Sequence, residues 1–113
     1  LIISAAQPRF KTLPSLKTTG YVGLETRLTC DIVAYPEPKI VWYQARSSHP
    51  ISDQNPRFAK TNLNNTLIIR NTSMEDAGPY MCRGSNNLGS KFELSILDVK
   101  YVGEFNRLYL YNM

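Results

Sequence analysis

The stretch Asp76-Ala77-Gly78-Pro79-Tyr80-Met81-Cys82 decides the fold once Cys30 and Trp42 are set beside it. Cys30 and Cys82 each fall on the apolar side of a segment that alternates like a β-strand, and 52 positions separate them. Trp42 follows the first cysteine by twelve positions. This spacing suits a disulfide that joins two sheets and packs against a buried indole.

The two cysteines have few chemical alternatives. A zinc site would need further cysteine or histidine ligands, and the chain has two cysteines and one histidine in total. A reactive thiol pair occurs more often as Cys-x-x-Cys. We therefore predict a structural disulfide between Cys30 and Cys82, and hence an oxidising compartment. In the chain-entropy model, closing so long a loop stabilises the fold by about 4 kcal/mol.

The remaining pattern consists of short strands separated by turn residues. Alternation or a short apolar run marks the segments 26–32, 39–43, 66–70, 80–83 and 91–96. Pro36 and Pro38 interrupt the pattern, and the polar stretch 47–55 is predicted to be a loop. Six or seven strands at roughly ten-residue spacing predict an all-β, antiparallel two-sheet sandwich.

These residues together resemble the immunoglobulin superfamily, and within it the I-set (C2-type) domains of cell-adhesion molecules, receptors and muscle giants. The most specific part of the resemblance is the Asp-x-Gly-x-Tyr-x-Cys run that ends at Cys82. The resemblance implies that the Tyr80 hydroxyl returns to the backbone just upstream, and that Asp76 pairs with Arg57 across the bottom of the sandwich. Pro79 is unusual in this run because a strand proline removes a ladder hydrogen bond.

Three segments are expected along the chain. Residues 1–7 are an N-terminal segment or the remnant of a signal peptide, since Ser4 and Ala6 are small residues placed for cleavage. Residues 8–97 form the immunoglobulin-like domain. Residues 98–113 are a C-terminal extension or linker, whose alternating run 107–111 indicates a strand added to a sheet edge or, as we prefer, a link to a neighbouring domain.

Composition and charge exclude several classes of function. With 113 residues, 42% of them apolar, the chain can bury one core, and it has no run of 18 apolar residues that would span a membrane. Thirteen lysines and arginines against nine acidic residues give a net charge of +4. Because these basic residues are spread evenly, we expect no nucleic-acid partner and at most weak contact with glycosaminoglycans.

Residues that could carry catalysis are scarce. His49 precedes Pro50 in a polar loop, without an acidic or cysteine partner at ligand spacing, so we interpret it as a solvated histidine. The carboxylates show no local pairing suited to acid catalysis, and there is no glycine-rich phosphate loop. We therefore expect no enzyme activity, no cofactor and no metal.

Two acceptor sequences for N-glycosylation are present, Asn64-Asn65-Thr66 and Asn71-Thr72-Ser73. Asn64 lies in a polar turn, and we expect it to be accessible and modified. Asn71 lies where I-set domains often use an asparagine to brace a turn, so a structural role competes with modification there. Chance is the alternative for both, since asparagine and threonine are abundant in loops.

One sheet face is the candidate partner-binding site. If Trp42 and Cys82 point inward, their neighbours in sequence point outward, because side chains alternate along a strand. The predicted outward group and its two flanking lysines are Val41, Tyr43, Met81, Arg83, Lys39 and Lys91. This composition is typical of interface anchors, although scattered apolar residues are also ordinary on a sheet.

These features favour an extracellular protein-recognition module in cell adhesion or receptor assembly, which binds a homophilic or heterophilic protein partner through an exposed sheet face. The segment 34–42 is similar to lachesin-like and IgLON-like neuronal adhesion proteins. One alternative is a structural spacer of an intracellular muscle giant similar to titin or twitchin, against which the paired cysteines and two sequons weigh. Another is a secreted ligand or decoy.

Overall fold

The computed structural model describes residues 4–11, 17–44, 46–61 and 63–103, so the run 107–111 lies outside the described residues. The elements in chain order are β1 (Ala6–Phe10), β2 (Lys17–Tyr21), β3 (Thr26–Thr29), β4 (Ile32–Tyr35), β5 (Lys39–Gln44), β6 (Phe58–Lys60), β7 (Thr66–Ile69), a 3-10 turn (Met74–Asp76), β8 (Gly78–Asn86) and β9 (Gly89–Lys100). None of the helical structure in these ranges is long and apolar enough to cross a membrane.

The strands form two facing sheets and a short ribbon. One sheet has the order β2-β9-β8-β5, the other has the order β3-β7-β6, and β1 pairs with β4. The disulfide joins Cys82 in β8 to Cys30, which directly follows β3, with Cα atoms 6.2 Å apart. The predicted all-β, two-sheet sandwich with one inter-sheet disulfide is confirmed. One pairing departs from the antiparallel expectation, because β2 runs parallel to β9.

The single strand predicted over residues 26–32 is wrong, because the structure divides it into β3 and β4. The division follows from a change of partner: β3 pairs with β7, whereas β4 pairs with β1. At the change, the Cys30 amide still bonds to the Asn65 carbonyl, while the Asp31 carbonyl accepts from the Lys11 amide. Alternation of side chains continues through the break, which is why the sequence pattern does not reveal it.

The core lies between the two sheets and is centred on the disulfide. Its buried apolar side chains are Leu28, Cys30, Ile32, Ile40, Trp42, Leu67, Ile69, Tyr80, Cys82, Leu97 and Val99. The Trp42 indole N–H donates to the Asn64 carbonyl at 2.6 Å, so this large ring is buried without an unsatisfied donor. The predicted packing of an indole beside the disulfide is therefore observed, because Trp42 and both cysteines belong to the same buried cluster.

Gly84 lets the β1–β4 ribbon approach the inner side of the four-stranded sheet. A Cβ atom at this position would lie 2.7 Å from the Ile32 Cγ2 atom, which is closer than side-chain carbons approach one another. Only a residue without a side chain therefore allows Ile32 to pack directly on β8.

Pro79 is accommodated at the start of β8. The pairing of β5 with β8 begins at Tyr80, so Pro79 precedes the part of the strand that has a neighbour on both sides. It is still aligned with Ile96 of β9. A proline is tolerated there because a ladder donor is lost only at the strand end.

Candidate functional site

The outward side of the four-stranded sheet brings together four of the predicted partner-binding residues. β5 supplies Val41 and Tyr43, and β8 supplies Met81 and Arg83. In the antiparallel register Val41 lies opposite Arg83, and Tyr43 lies opposite Met81. Directly opposed side chains on one face have Cβ atoms about 5 Å apart, so the four form one contiguous group.

Strand β9 extends this group with three apolar side chains that sequence patterning did not assign to it. Phe92, Leu94 and Ile96 are 54%, 49% and 47% exposed. They align with Arg83, Met81 and Pro79 respectively. We call this surface the contact face; its residues are Val41, Tyr43, Pro79, Met81, Arg83, Phe92, Leu94 and Ile96.

The orientation of β9 is the reverse of what hydrophobic patterning favours. Glu93 and Ser95 point inward and are buried, whereas the apolar residues between them point to solvent. The register explains this, because Glu93 is aligned with Cys82 in the core-facing row of β8. A signal was present in the sequence, since three apolar residues alternate with polar ones over 91–96. Alternation alone does not state which side is buried.

The prediction that Lys91 flanks the contact face is wrong. Lys91 has the same parity as Glu93, so its side chain leaves the opposite side of the sheet. Its amine lies 5.6 Å from the centre of the Phe10 ring on β1. Lys39, in contrast, has the parity of Val41 and is exposed at the end of β5. One of the two lysines is therefore adjacent to the contact face.

Few charges interrupt the apolar area. The Arg83 guanidinium carbon lies 5.8 Å from the centre of the Phe92 ring, which is within cation–π distance. Asp98 follows Ile96 by one outward position on β9, and its carboxylate is 3.7 Å from the Lys17 amine. The apolar residues thus lie between one cation and one ion pair, an arrangement typical of a protein contact surface.

Arg57 and Asp76 form an ion pair at the end of the sandwich where β8 begins. Arg57 donates from Nη1 and Nη2 to the two Asp76 carboxylate oxygens, at 3.1 and 2.5 Å. Nη2 also donates to the Asn71 carbonyl at 3.0 Å. Burial by itself raises the pKa of Asp76, but hydrogen bonds from Arg57 and Ser73 outweigh it and hold that pKa below its usual value.

Tyr80 ties the same end of β8 to the preceding turn. Its hydroxyl donates to the Asp76 carbonyl at 2.8 Å, and the ring is fully buried. Burial raises the pKa of Tyr80, so the hydroxyl stays protonated and keeps donating. Beside it, the Ser73 amide donates to the Asp76 carboxylate at 2.8 Å. The turn before β8 therefore has a satisfied network, which orients the strand that bears Met81 and Arg83.

Glu93 is a second buried carboxylate, which the sequence reading did not single out. Its Oε2 atom lies 3.9 Å from the Cys82 sulfur, and the residue is 6% exposed. Burial raises the pKa of Glu93 above its usual value. A hydrogen bond from the Asp31 amide to the carboxylate lowers the pKa, whereas the negative charge of Asp31 raises it further. Although Glu93 adjoins two cysteine sulfurs, both are held in the disulfide and offer no thiolate to a metal.

The two predicted glycosylation asparagines lie on the other sheet. Asn64 precedes β7 and Asn71 follows it, and both side chains are exposed. Each has a left-handed backbone, with φ of 61° and 51°. The Asn64 carbonyl accepts from the Trp42 indole, and the Asn71 carbonyl accepts from the Arg57 guanidinium. Since β7 is the central strand of the three-stranded sheet, groups attached at these positions would leave the contact face uncovered. His49 is exposed in its loop, as expected.

Comparisons with known proteins give a consistent assignment. Residues 8–99 match the family model described as the immunoglobulin I-set domain. The chain is 31% identical over 93 residues to protein sidekick of Drosophila melanogaster, which covers 82% of this chain and 4% of that protein. It is 35% identical over 95 residues to fast-type myosin-binding protein C of Mus musculus, and the match covers 82% of this chain and 8% of that protein.

A solved structure gives the same picture. The chain superposes on the Sidekick-1 immunoglobulin domains 1–4 with a TM-score of 0.74 and 30% identity, over 85% of this chain and 25% of that one. The chain therefore spans a small part of the length of the proteins it matches. The relatives include the cell adhesion molecule DSCAML1 of Homo sapiens, 31% identical over 103 residues that are 84% of this chain and 5% of that protein, as well as the myosin-binding protein.

Proposed function

The chain belongs to the immunoglobulin I-set family, and from that premise we propose that it is an extracellular protein-recognition module in cell adhesion or receptor assembly. Domains of this family are non-enzymatic adhesion or structural modules, so binding is the activity to be explained. The adhesion proteins among the relatives imply a protein partner. In our proposal the contact face receives that partner.

The observation that carries the proposal is the apolar row on β9. Three large side chains, Phe92, Leu94 and Ile96, are each about half exposed on one strand. Scattered exposed apolar residues are ordinary, but a contiguous group beside Met81 and Tyr43 is a feature of interaction surfaces. The aromatic residues, methionine and arginine of the contact face are also the residue types enriched in interfaces.

The bracing below the contact face supports the same proposal. The disulfide, the Arg57–Asp76 ion pair and the Tyr80 hydroxyl fix β8 before any partner arrives. A preformed face loses little conformational entropy on binding, so more of the contact energy remains as affinity. Single-domain contacts of this size are weak and gain strength when several act together.

The sequons fit an extracellular location. We propose that Asn64 carries an N-glycan, and that Asn71 is a second site where the Arg57 bond to its carbonyl leaves the side chain exposed. Glycans at both positions would shield the three-stranded sheet and leave the contact face as the open approach. Protein secreted from eukaryotic cells should therefore lose mass on glycosidase treatment, in steps removed by Asn64→Gln and Asn71→Gln.

The similarity to myosin-binding protein C favours a second candidate, a structural domain of an intracellular muscle protein. In that setting the thiols stay reduced and the sequons stay unmodified. Counting free thiols in protein isolated from its native tissue separates the two candidates. The 6.2 Å separation of the cysteine Cα atoms lies within the range that a disulfide spans, so the fold permits the oxidised pair that the extracellular candidate requires.

Binding by beads coated densely with the chain tests the proposal, because multivalency reveals weak contacts. We expect such beads to bind one another or the surface of cultured neural cells, and to stop doing so when the chain carries Leu94→Asp. The matched control is Leu24→Asp, which changes an exposed leucine in the β2–β3 turn. Equal binding by the two variants would contradict a role for the contact face.

The bead experiment also isolates the glycosaminoglycan contact that the +4 charge suggests. Binding that disappears after enzymatic removal of cell-surface glycosaminoglycans, and that Leu94→Asp leaves intact, would assign the activity to the basic surface. Contact through the apolar face should survive that treatment. It should also be less sensitive to moderate salt than a charge-driven contact.

A further inference from the structure

Two charged side chains stand at opposite ends of the apolar row on the contact face. Arg83 is aligned with Phe92 at one end. Asp98 is the next outward residue after Ile96 at the other end, because β9 alternates. Six positions from Phe92 to Asp98 correspond to about 20 Å at about 3.3 Å per residue. The two charges are therefore too far apart to pair within one molecule.

Arg83 needs a carboxylate when the contact face is covered. Within the described residues its guanidinium makes no ion pair and rests over the Phe92 ring. A partner that removed it from water without offering an anion would leave a buried unpaired cation, which is costly. Asp98, whose carboxylate is partly exposed beside Lys17, retains acceptor capacity for a second cation.

These positions are self-complementary. Suppose that two copies meet face to face with their β9 strands antiparallel and that the two-fold axis passes at Ser95 of both strands. Leu94 of each copy then lies opposite Ile96 of the other. In the same arrangement, the end with Phe92 and Arg83 lies opposite Asp98. Each copy thus supplies the anion that the Arg83 of the other requires, twice across one symmetric interface.

We propose that the contact face binds a second copy of this chain, in an antiparallel, two-fold arrangement fixed by reciprocal Arg83–Asp98 ion pairs. The inference rests on the proposed function and deepens it by naming the partner. The contact face covers three strands about 4.8 Å apart, over about 20 Å of their length, which gives roughly 300 Å² on each copy. This is less than half of a standard interface, so the dimer is weak and transient.

The remaining charges on this side of the sheet lower the affinity without fixing the arrangement. They are Lys17 on the edge strand β2, aligned with Ile96 and paired with Asp98, and Lys39 and Lys100 at the ends of β5 and β9; all three are exposed. Their positions at the rim remain solvated, where ions screen them over about 8 Å. The two Arg83–Asp98 pairs, at the ends of the apolar row, lose water when the copies meet and are then screened less, so their signs decide which arrangement forms.

Charge reversal in trans tests the proposal. Sedimentation velocity over a wide concentration range should show a dimer of the 113-residue chain. Arg83→Asp alone and Asp98→Arg alone should each weaken it at least about tenfold, since each places like charges together. An equimolar mixture of the two variants should restore the dimer, because both contacts then pair opposite charges. Arg9→Asp, an exposed change on β1, is the control and should have no effect.

Each outcome tests a different element of the proposal: the second copy as partner, the ion pairs, or the contact face. A monomer at every concentration, with the folded chain verified by circular dichroism and an intact disulfide, would overturn the second copy as partner; the bead test on cells would then judge the proposed function separately. A dimer that both reversals leave intact but that Leu94→Asp abolishes would overturn the ion pairs and their arrangement. A dimer that Leu94→Asp also leaves intact would overturn the contact face itself.

Discussion

Two carboxylates among the described residues are buried, and their surroundings differ. Asp76 is 5% exposed and accepts hydrogen bonds from two nitrogens of a guanidinium and from a backbone amide. Glu93 is 6% exposed and has no cation partner among the described residues; its neighbours are a backbone amide, the disulfide and another carboxylate. Burial is therefore equal, and the partners differ.

The difference shows that burial alone does not set the role of a charged side chain. Asp76 is stabilised as an anion, so its charge contributes to folding at neutral pH. Glu93 is favoured in its neutral form, so its charge opposes folding under the same conditions. The first carboxylate fastens β8, while the second lies under β9, the strand that turns its apolar side chains to solvent.

The largest effect should come from removing the disulfide that adjoins Glu93. We expect Cys30→Ala with Cys82→Ala to lower the free energy of unfolding by about 4 kcal/mol, through the long loop that is no longer closed. Water should also reach Glu93 and return its pKa toward the ordinary value, while Asp76 keeps its Arg57 partner. Urea titration measures the first effect, and carboxyl chemical shifts measure the second. An unchanged Glu93 pKa would show that the disulfide does not maintain its environment.

Neutralising Asp76 should be the next largest loss. Asp76→Asn keeps the shape but leaves Arg57 without its anion, and we expect a loss of about 2 kcal/mol in urea unfolding at neutral pH. The neighbouring exposed Glu75→Gln is the matched control and should change stability by less than about 0.5 kcal/mol. Equal effects of the two changes would show that the ion pair adds nothing specific.

Neutralising Glu93 should raise the free energy of unfolding, whereas neutralising Asp76 lowers it. Glu93→Gln keeps an oxygen that accepts from the Asp31 amide and removes a buried negative charge, so we expect a gain of about 1 kcal/mol at neutral pH. Glu37→Gln, an exposed change, serves as the control. A loss of stability in the Glu93 variant would mean that an unrecognised cation pairs with this carboxylate.

The smallest and most diagnostic effect is the pH dependence of unfolding. The lowered pKa of Asp76 gives stability that is present above its unfolded-state value and is lost as pH falls through its folded pKa. The raised pKa of Glu93 gives stability that is present at acid pH and is lost as pH rises through its folded pKa. Asp76→Asn should flatten the acid limb of the urea-midpoint curve, and Glu93→Gln should flatten the decline above it. Midpoint curves for both variants that run parallel to the curve of the unchanged protein would contradict the opposite pKa shifts of Asp76 and Glu93.

Much of the architecture was predictable because its signals are local. The cysteine spacing, the indole and the Asp-x-Gly-x-Tyr-x-Cys run indicated a disulfide-bonded sandwich, and the fold agrees. The break between β3 and β4 was not predictable, since it depends on which distant strand supplies the next hydrogen bond. Val41, Tyr43, Met81 and Arg83 were placed on one side by alternation from two secure inward residues.

What the sequence by itself determined was a set of alternating strands and a pair of cysteines whose spacing and apolar positions predicted a disulfide between two sheets. What only the tertiary structure decided was which side of β9 faces the core. A period of two defines two sides and leaves their assignment to the register, so a shift of one residue exchanges them. Alignment of Glu93 with Cys82 makes that choice, burying a carboxylate and turning Phe92, Leu94 and Ile96 to solvent, because pairing along the whole strand outweighs the preference of any single side chain.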